Sequence, residues 1–369
     1  MRPIPGPIAI VGIGLMGGSL GLALRGAGAE QIVGYDIAAD TLAQALALGA
    51  ITRSASSVAE AVAGAACVFV AAPVGLAAAI AHQVLAVAPP DCVVSDLGSA
   101  KGVVIDALSA DERARFIGGH PVCGGERSGV AAARGDLYRG ATWFLTPTAE
   151  ARPELYERVY AVISATGARP AAIDAEVHDR LMALVSHVPH VLAAALIHQA
   201  AATAPSGREA LRSAGPSFDD LTRVAGANPP LWADILIANR GAVVEALREY
   251  RGRLAEVEQQ IVNRDRQALI AFMAGAADGR RRLRVDDGPA DAIVEPWEIV
   301  VGIPDRPGAV SEITTALGHG HINIVDLVLR PGPPGGVGEF VVRVSGAAAA
   351  SAAVERIAAL GVRTHVNPV

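Results

Sequence analysis

From Pro7 to about residue 170, short runs rich in β-branched residues alternate with longer Ala- and Leu-rich stretches. The runs "IAIVGIG", "QIVGYD", "CVFVAAP", "CVVSDLG" and "RFIGGHP" are largely apolar, and each is followed by turn residues. Strands buried on both faces look like this, so the pattern predicts a parallel sheet covered by helices. After residue 174 the strand signal stops. Two long runs, "DAEVHDRLMALVSHVPHVLAAALIHQAA" and "PLWADILIANRGAVVEALREYRGRLAEVEQQIVNRDRQALIAFMAGA", read as helix. In the second, Leu236, Ile237, Val243, Val244, Leu247, Leu254 and Ile261 keep near-helical spacing beside a charged face. An all-helical domain is predicted. So long an element commonly packs on a second subunit, so a dimer is expected.

A stretch rich in Gly and Arg, "DGRRRLRVDDGPADA", reads as a linker. Beyond it, "WEIVVGIP", a turn "DRPG", "AVSEITTALGHG", "INIVDLVLR", "GEFVVRV", "AAAASAAVERIAALG" and "VRTHV" spell β-α-β-β-α-β, the ferredoxin-like order. The expected organisation is an α/β Rossmann-type domain over residues 1–173 and an all-helical dimerisation domain over 174–280. A linker follows at 281–294, then a ferredoxin-like βαββαβ domain over 295–369. The 331–338 loop is longer than a tight hairpin needs and has no functional reading.

A chain of 369 residues is too long for one ordinary core, in keeping with several domains. The net charge of -6 brings no basic footprint, so nucleic acid is not an expected partner, and small molecules or protein are. Cys67, Cys92 and Cys123 form no C-x-x-C pair and read as reduced thiols of a cytoplasmic protein. Residues 1–29 resemble a signal peptide, and Ala65–Ala81 a short membrane span. A glycine pattern interrupts the first and Pro73 and Gly75 break the second, so no membrane contact is expected.

The interrupting glycines, Gly12, Gly14 and Gly17, make G-x-G-x-x-G between a strand and a helix. Asp36, at the end of the next strand and about 20 residues on, is placed to accept both hydroxyls of an adenosine ribose while the helix N-terminus holds a pyrophosphate. Its charge also repels a 2′-phosphate, which favours NAD over NADP. The bland alternative is a glycine turn needed only for strand–helix packing.

Farther along the same sheet edge, "VSDLGSAKG" places Ser99 either as an N-cap or at the ligand crevice, with Lys101 read as an exposed first-turn residue. "FIGGHPVCGGERSGV" puts His120 among glycines at the following strand's exit, where a general base belongs. A Cys123–His120 nucleophile is a weaker reading, and Glu126 with Arg127 could be a local ion pair. In the helical region, His187 and His190 of "SHVPH" lie on neighbouring positions of one face, with Pro189 expected to kink the helix. No third ligand stands at a recognisable interval, so no metal is expected. "FDDLTRVA" offers Asp220 and Arg223, followed by Trp232: a surface ion pair, or an arginine clamp on a substrate carboxylate.

Taken together, "GIGLMGGS", "DLGSAKG", "GGHPVCGGERSGV", "LVSHVPH" and "FDDLTRVA", in this order, resemble the prephenate dehydrogenase family of tyrosine biosynthesis, which includes arogenate dehydrogenase; the resemblance spans residues 7–275. "IPDRPGAVSEI" and "HINIVDL" resemble an ACT domain, an amino-acid-binding regulatory module.

The resemblance implies transfer of a hydride from the substrate's carbinol carbon to NAD, with decarboxylation and aromatisation. It implies His120 as the acceptor of the hydroxyl proton, with Ser99 beside it and the nicotinamide. His190 and Arg223 would bind substrate carboxylates, supported by His187, and Glu126, Asp220 and Trp232 complete the expected substrate contacts. Leu15, Met16 and Pro73 join the glycines and Asp36 at the cofactor. Asp305, Gly308 and Asn323 would hold an amino-acid effector, with tyrosine the expected one. Many relatives carry threonine where Gly125 stands, which bears on substrate specificity, and the fused bifunctional form with a chorismate mutase segment is not expected. Arogenate is the alternative substrate, with Asp220 as the group that would favour its ammonium. A non-catalytic sensor of NAD and an amino acid is the alternative of another class, opposed by the joint presence of Ser99, His120 and Arg223.

Overall fold

The structure, a computed structural model, describes residues 4–124, 127–203, 214–282, 296–304, 306–330, 337–362 and 364–368. The chain divides into two compact units, Met1–Asp265 and Arg266–Val369.

In the first unit eight strands form one sheet: β1 (Ile8–Val11), β2 (Ile32–Tyr35), β3 (Arg53–Ser54), β4 (Cys67–Val70), β5 (Val93–Asp96), β6 (Phe116–Pro121), β7 (Thr142–Thr146) and β8 (Arg169–Ala172). Their order is β3-β2-β1-β4-β5-β6-β7-β8. Every neighbouring pair is parallel except β6 and β7. Residues of β1 show why its run is apolar without alternation: Ile8 and Ile10 enter one core with Leu20, Leu24 and Trp143, while Ala9 and Val11 enter another with Val68 and Val84. Helices α1 (Leu15–Gly26), α2 (Ala39–Ala47), α3 (Val58–Val62), α4 (Val74–Val87), α5 (Gly102–Ile105), α6 (Ala110–Arg113) and α7 (Pro153–Ala165) connect the strands. The chain leaves β1 in opposite directions toward β2 and β4, and that reversal opens a ligand crevice at the strands' carboxyl ends.

Three strands lie outside the five apolar runs. β3 has two residues, and β8, "RPAA", carries a proline that only its edge position tolerates. β7 buries Trp143 and Leu145 and leaves Thr142 and Phe144 partly covered, a period-two pattern, unlike the continuous runs.

Helix α8 (Ala175–Met182) continues through a π turn, Ala183–His187, into α9 (Val188–Thr203). The widened turn lies immediately before Pro189, where the missing proline N–H already breaks the regular ladder. The run from Pro229 onward, expected as one long element, forms three helices: Pro229–Ala238, Arg240–Val262 and Arg266–Arg282. The first break falls at Asn239, which is buried because its amide turns inward to bond other groups. At the second, Arg264 adopts a left-handed conformation with φ of 53°.

The second unit contains a sheet of β9 (Pro296–Pro304), β10 (Ile324–Arg330), β11 (Val337–Ser345) and β12 (Thr364–Pro368) in the order β10-β11-β9-β12, all antiparallel. Helices Ala309–His319 and Ala347–Ala358 bury Ile313, Leu317 and Ile357 against Ile299, Val301 and Phe340. This is the expected βαββαβ order. The 331–336 part of the long loop lies outside the described residues.

Candidate active site

Strand register brings the exits of β2, β1, β4 and β5 to one edge, since Val11 pairs with both Tyr35 and Val70, and Val70 with Asp96. At that edge the three loop glycines differ in their reason. Gly12 has φ of +94°, and a Cβ on it would stand 2.5 Å from the Ala71 carbonyl oxygen. A Cβ on Gly17 would stand 2.0 Å from the Gly12 oxygen. Gly14 faces open space, at the start of α1, where no side chain caps the free N–H groups. Tight packing thus explains the outer two glycines, and the open space at the middle one leaves room for an anion to approach the helix start. Leu15 and Met16 form the first turn of α1, and the Met16 carbonyl accepts a hydrogen bond from Tyr138 Oη at 2.6 Å. Pro73 starts α4. Asp36 accepts the N–H of Ile13 at 2.8 Å and of Ala38 at 3.0 Å. Its carboxylate therefore braces the glycine loop, with acceptor capacity left for ribose hydroxyls.

Beside this edge lies a buried polar network. Lys101 is fully buried, not exposed as its first-turn position suggested. Its ammonium pairs with Asp96 Oδ2 and donates to the Gly119 carbonyl at 2.7 Å. Asp96 also accepts the N–H of Gly119 and of Gly98, each at 3.0 Å. The pair thus clamps the exit of β5 to that of β6, one residue before His120. The glycines of β6 are steric necessities. A Cβ on Gly118 would lie 2.2 Å from Thr146 Oγ1, and one on Gly119 2.6 Å from the Asp96 carbonyl oxygen.

His120 bonds through Nδ1 to Nε2 of His178 at 2.9 Å, and Nδ1 of His178 bonds Asp179 Oδ1 at 2.8 Å. Asp179 in turn accepts the N–H groups of Lys101 at 2.8 Å and Gly102 at 2.9 Å. The free amides at the start of α5 are therefore capped by a carboxylate from α8, and Ser99, partly exposed in the β5–α5 turn, is not the N-cap. Burial above all, then the neighbouring His178, Lys101 and His187, holds His120 well below the usual histidine range, so its imidazole is neutral. Cys123 is pushed up to about 11 by burial, which removes it as a thiolate nucleophile.

A second cluster forms around α9. The His190 ring stacks on Trp232 with centroids 3.5 Å apart, bonds the Val224 backbone and faces the Arg223 charge. His187, buried, lies edge-on to Trp232 and receives the Asn239 amide at 3.2 Å; burial lowers it to about 4. Its Nε2 has no hydrogen-bond partner among the described residues. Arg223 lies in the short turn Arg223–Gly226, and Asp220 is exposed on the preceding helix, Pro216–Thr222. In the second unit, Gly308 starts Ala309–His319 in the left-handed conformation, and Asn323 is exposed just before β10. Glu126, Gly125 and Asp305 lie outside the described residues. No group of three metal-ligating side chains occurs among the described residues.

Sequence reasoning missed Asp96, His178, Asp179 and Asn239, and misplaced Lys101. Two signals were available: Asp96 ends an apolar run in which a charge must be paired, and "VHDRL" sets a histidine beside an aspartate near a helix start.

Comparison with known proteins gives three family matches: prephenate dehydrogenase, nucleotide-binding domain (residues 20–171); prephenate dehydrogenase, dimerization domain (174–275); and ACT domain (297–362). The chain is 31% identical over 334 residues to the prephenate dehydrogenase of Bacillus subtilis, covering 89% of each chain. It is similar to the crystal structure of the Aquifex aeolicus prephenate dehydrogenase in complex with hydroxyphenyl propionate and NAD+ (TM-score 0.71, 30% identity, 75% of this chain and 97% of that one). It is also similar to that of the Synechocystis arogenate dehydrogenase (TM-score 0.68, 28% identity, 75% and 99%).

Proposed function

Because the chain belongs to the prephenate dehydrogenase family and is an NAD-dependent oxidoreductase, we propose that its substrate is prephenate, oxidised and decarboxylated to 4-hydroxyphenylpyruvate in tyrosine biosynthesis. The observation that carries this reading is His120: a neutral imidazole at the nucleotide edge, bonded through Nδ1 and with Nε2 unpartnered among the described residues.

The glycine loop, the uncapped start of α1 and Asp36 fit a dinucleotide, with Leu15, Met16 and Pro73 alongside. NAD, when bound, supplies the acceptor for a hydride. Loss of hydride from a carbinol builds positive charge at carbon unless the hydroxyl proton is drawn away at the same time. His120 Nε2 accepts that proton, an effect typically worth about 10²- to 10⁴-fold, and returns it to the phenol as the ring loses carbon dioxide and becomes aromatic. Ser99, in the turn after β5, orients the hydroxyl and the nicotinamide. His190 and Arg223, next to each other beside Trp232, bind the substrate carboxylates with His187 in support. Asp220 is exposed, which gives no reason to prefer the ammonium of arogenate, and Glu126, outside the described residues, is the further substrate contact that the family resemblance implies.

The working form is a homodimer. Val244 and Leu254 of Arg240–Val262 are exposed beside Leu192 of α9, an apolar surface in the part matched to the dimerization domain. The three cysteines are free, as suits a cytoplasmic enzyme. The ACT domain takes an amino-acid effector, tyrosine, with Gly308, at the start of Ala309–His319, and Asn323, just before β10, as its contacts. Asp305, outside the described residues, is the third residue that the resemblance implies. Tyrosine should inhibit the full chain and lose most of its effect on a chain ending at Ala290; equal inhibition of both would assign it to the active site.

The test of the reaction is NADH and NADPH formation by purified protein with prephenate and with arogenate. Faster NADH formation from prephenate supports the proposal, and turnover confined to arogenate overturns the substrate assignment.

A further inference from the structure

The chain Asp179–His178–His120 has a consequence for the base itself. Asp179 takes three hydrogen bonds, from His178 Nδ1 and from the backbone N–H groups of Lys101 and Gly102. Burial alone would raise its proton affinity, but these bonds outweigh burial and hold it below the usual carboxylate range. An ionised carboxylate only accepts. The proton between Asp179 and His178 therefore sits on His178 Nδ1, and with the fully buried His178 neutral its Nε2 carries a lone pair. That nitrogen faces His120 Nδ1 at 2.9 Å, so His120 must supply the proton on Nδ1. A neutral imidazole protonated on Nδ1 has its lone pair on Nε2. In water the opposite tautomer predominates, so the two residues behind His120 impose the form that can accept a proton.

The ring behind His120 is held on several sides. His178 is fully buried, meets His120 edge-on at 83°, and meets Phe144 edge-on with centroids 5.6 Å apart. Asp179 also caps α5 next to the Ser99 turn, so one carboxylate sets both the base and the loop opposite it.

We infer that His178, oriented by Asp179, is the positioning residue that fixes His120 in its Nδ1-protonated tautomer and shares the positive charge when His120 accepts the substrate proton. The inference rests on the dehydrogenase reading for its kinetic consequence but not for the tautomer, which exists without substrate.

The test uses full-length protein labelled with ¹⁵N-histidine. Two-bond ¹H–¹⁵N correlation spectra report which ring nitrogen carries the proton, and the signals lost in His120→Asn identify His120. The expected wild-type result is protonation on Nδ1. In His178→Phe, which keeps an aromatic ring against Phe144, His120 should shift toward the Nε2-protonated form. Its kcat should fall about 10- to 100-fold while KM for NAD and prephenate stays within about threefold. His178→Gln, whose amide oxygen can accept from His120 Nδ1, should recover about tenfold of that loss. A wild-type His120 protonated on Nε2 overturns the inference even if the variants fail to fold, and so does a folded His178→Phe with unchanged kcat. Failure of the dehydrogenase reading looks different: wild-type protein would form no NADH from either substrate while its spectrum still showed the Nδ1 tautomer.

Discussion

Replacing Lys101 with methionine removes a cation that has no exposed surface and two partners. Asp96 keeps the N–H bonds of Gly98 and Gly119 but loses its counter-charge, and the Gly119 carbonyl loses its donor. Breaking a buried ion pair from one side costs about 3–5 kcal/mol, because the remaining charge is left uncompensated. At about 1.4 kcal/mol per decade, opening of the β5–β6 edge should become roughly 10²- to 4 × 10³-fold more frequent. Denaturant-dependent hydrogen exchange of peptides spanning Val93–Pro121 measures this locally, which matters in a chain of two units that need not unfold in one step. Asp96→Asn with Lys101→Met removes both charges and should recover at least half of the loss.

The same change has a sign in pH. Lys101 is one of the groups that lower the proton affinity of His120. Without it, and with the Asp96 carboxylate unopposed, His120 binds a proton more readily, so the acid limb of kcat/KM moves to higher pH. Exchange within threefold of wild type, together with an unmoved acid limb, would refute the reasoning about this pair.

Asp36→Ser should narrow the preference for NAD over NADP by removing the repulsive charge, and should weaken NAD binding because Ile13 loses its brace; binding of both cofactors measured by titration checks this. Gly119→Ala should destabilise the protein by about 1–3 kcal/mol, since its Cβ would press on the Asp96 backbone, and thermal unfolding reads it out. Arg223→Ala should raise KM for prephenate about 10- to 100-fold with a smaller effect on kcat, as expected for a carboxylate clamp already formed in the ground state; initial-rate kinetics separate the two.

The parts legible in the sequence are those whose physics is local. β1, β4, β5 and β6 show as continuous apolar runs because both faces are covered, and β2 shows although Val33 and Tyr35 are only partly covered. Gly12 and Gly17 show because close packing demands glycine at that interval. β8 does not show, because an edge strand needs neither β-branched residues nor freedom from proline. His120 is legible from its glycine neighbours, but the reason for those glycines is not: the obstructing atoms belong to Thr146 and Asp96, brought there by strand pairing. His178 and Asp179 are the clearest case of what is hidden. They read as part of an ordinary amphipathic helix until tertiary packing sets α8 against α5, where Asp179 caps amides 78 residues earlier in the chain. Asn239 likewise breaks a helical pattern for a contact 60 residues away.

The central claim is that neutral His120 accepts the substrate's hydroxyl proton during oxidation by NAD. The most direct measurement is kcat for His120→Asn against wild type, followed as NADH formation at saturating prephenate, with NAD binding measured separately. Asparagine keeps a polar group near the position but cannot take a proton. The expected result is a kcat lower by about 10²-fold or more with NAD affinity within about threefold. Turnover within tenfold of wild type, with the substitution confirmed and NAD still bound, would contradict it.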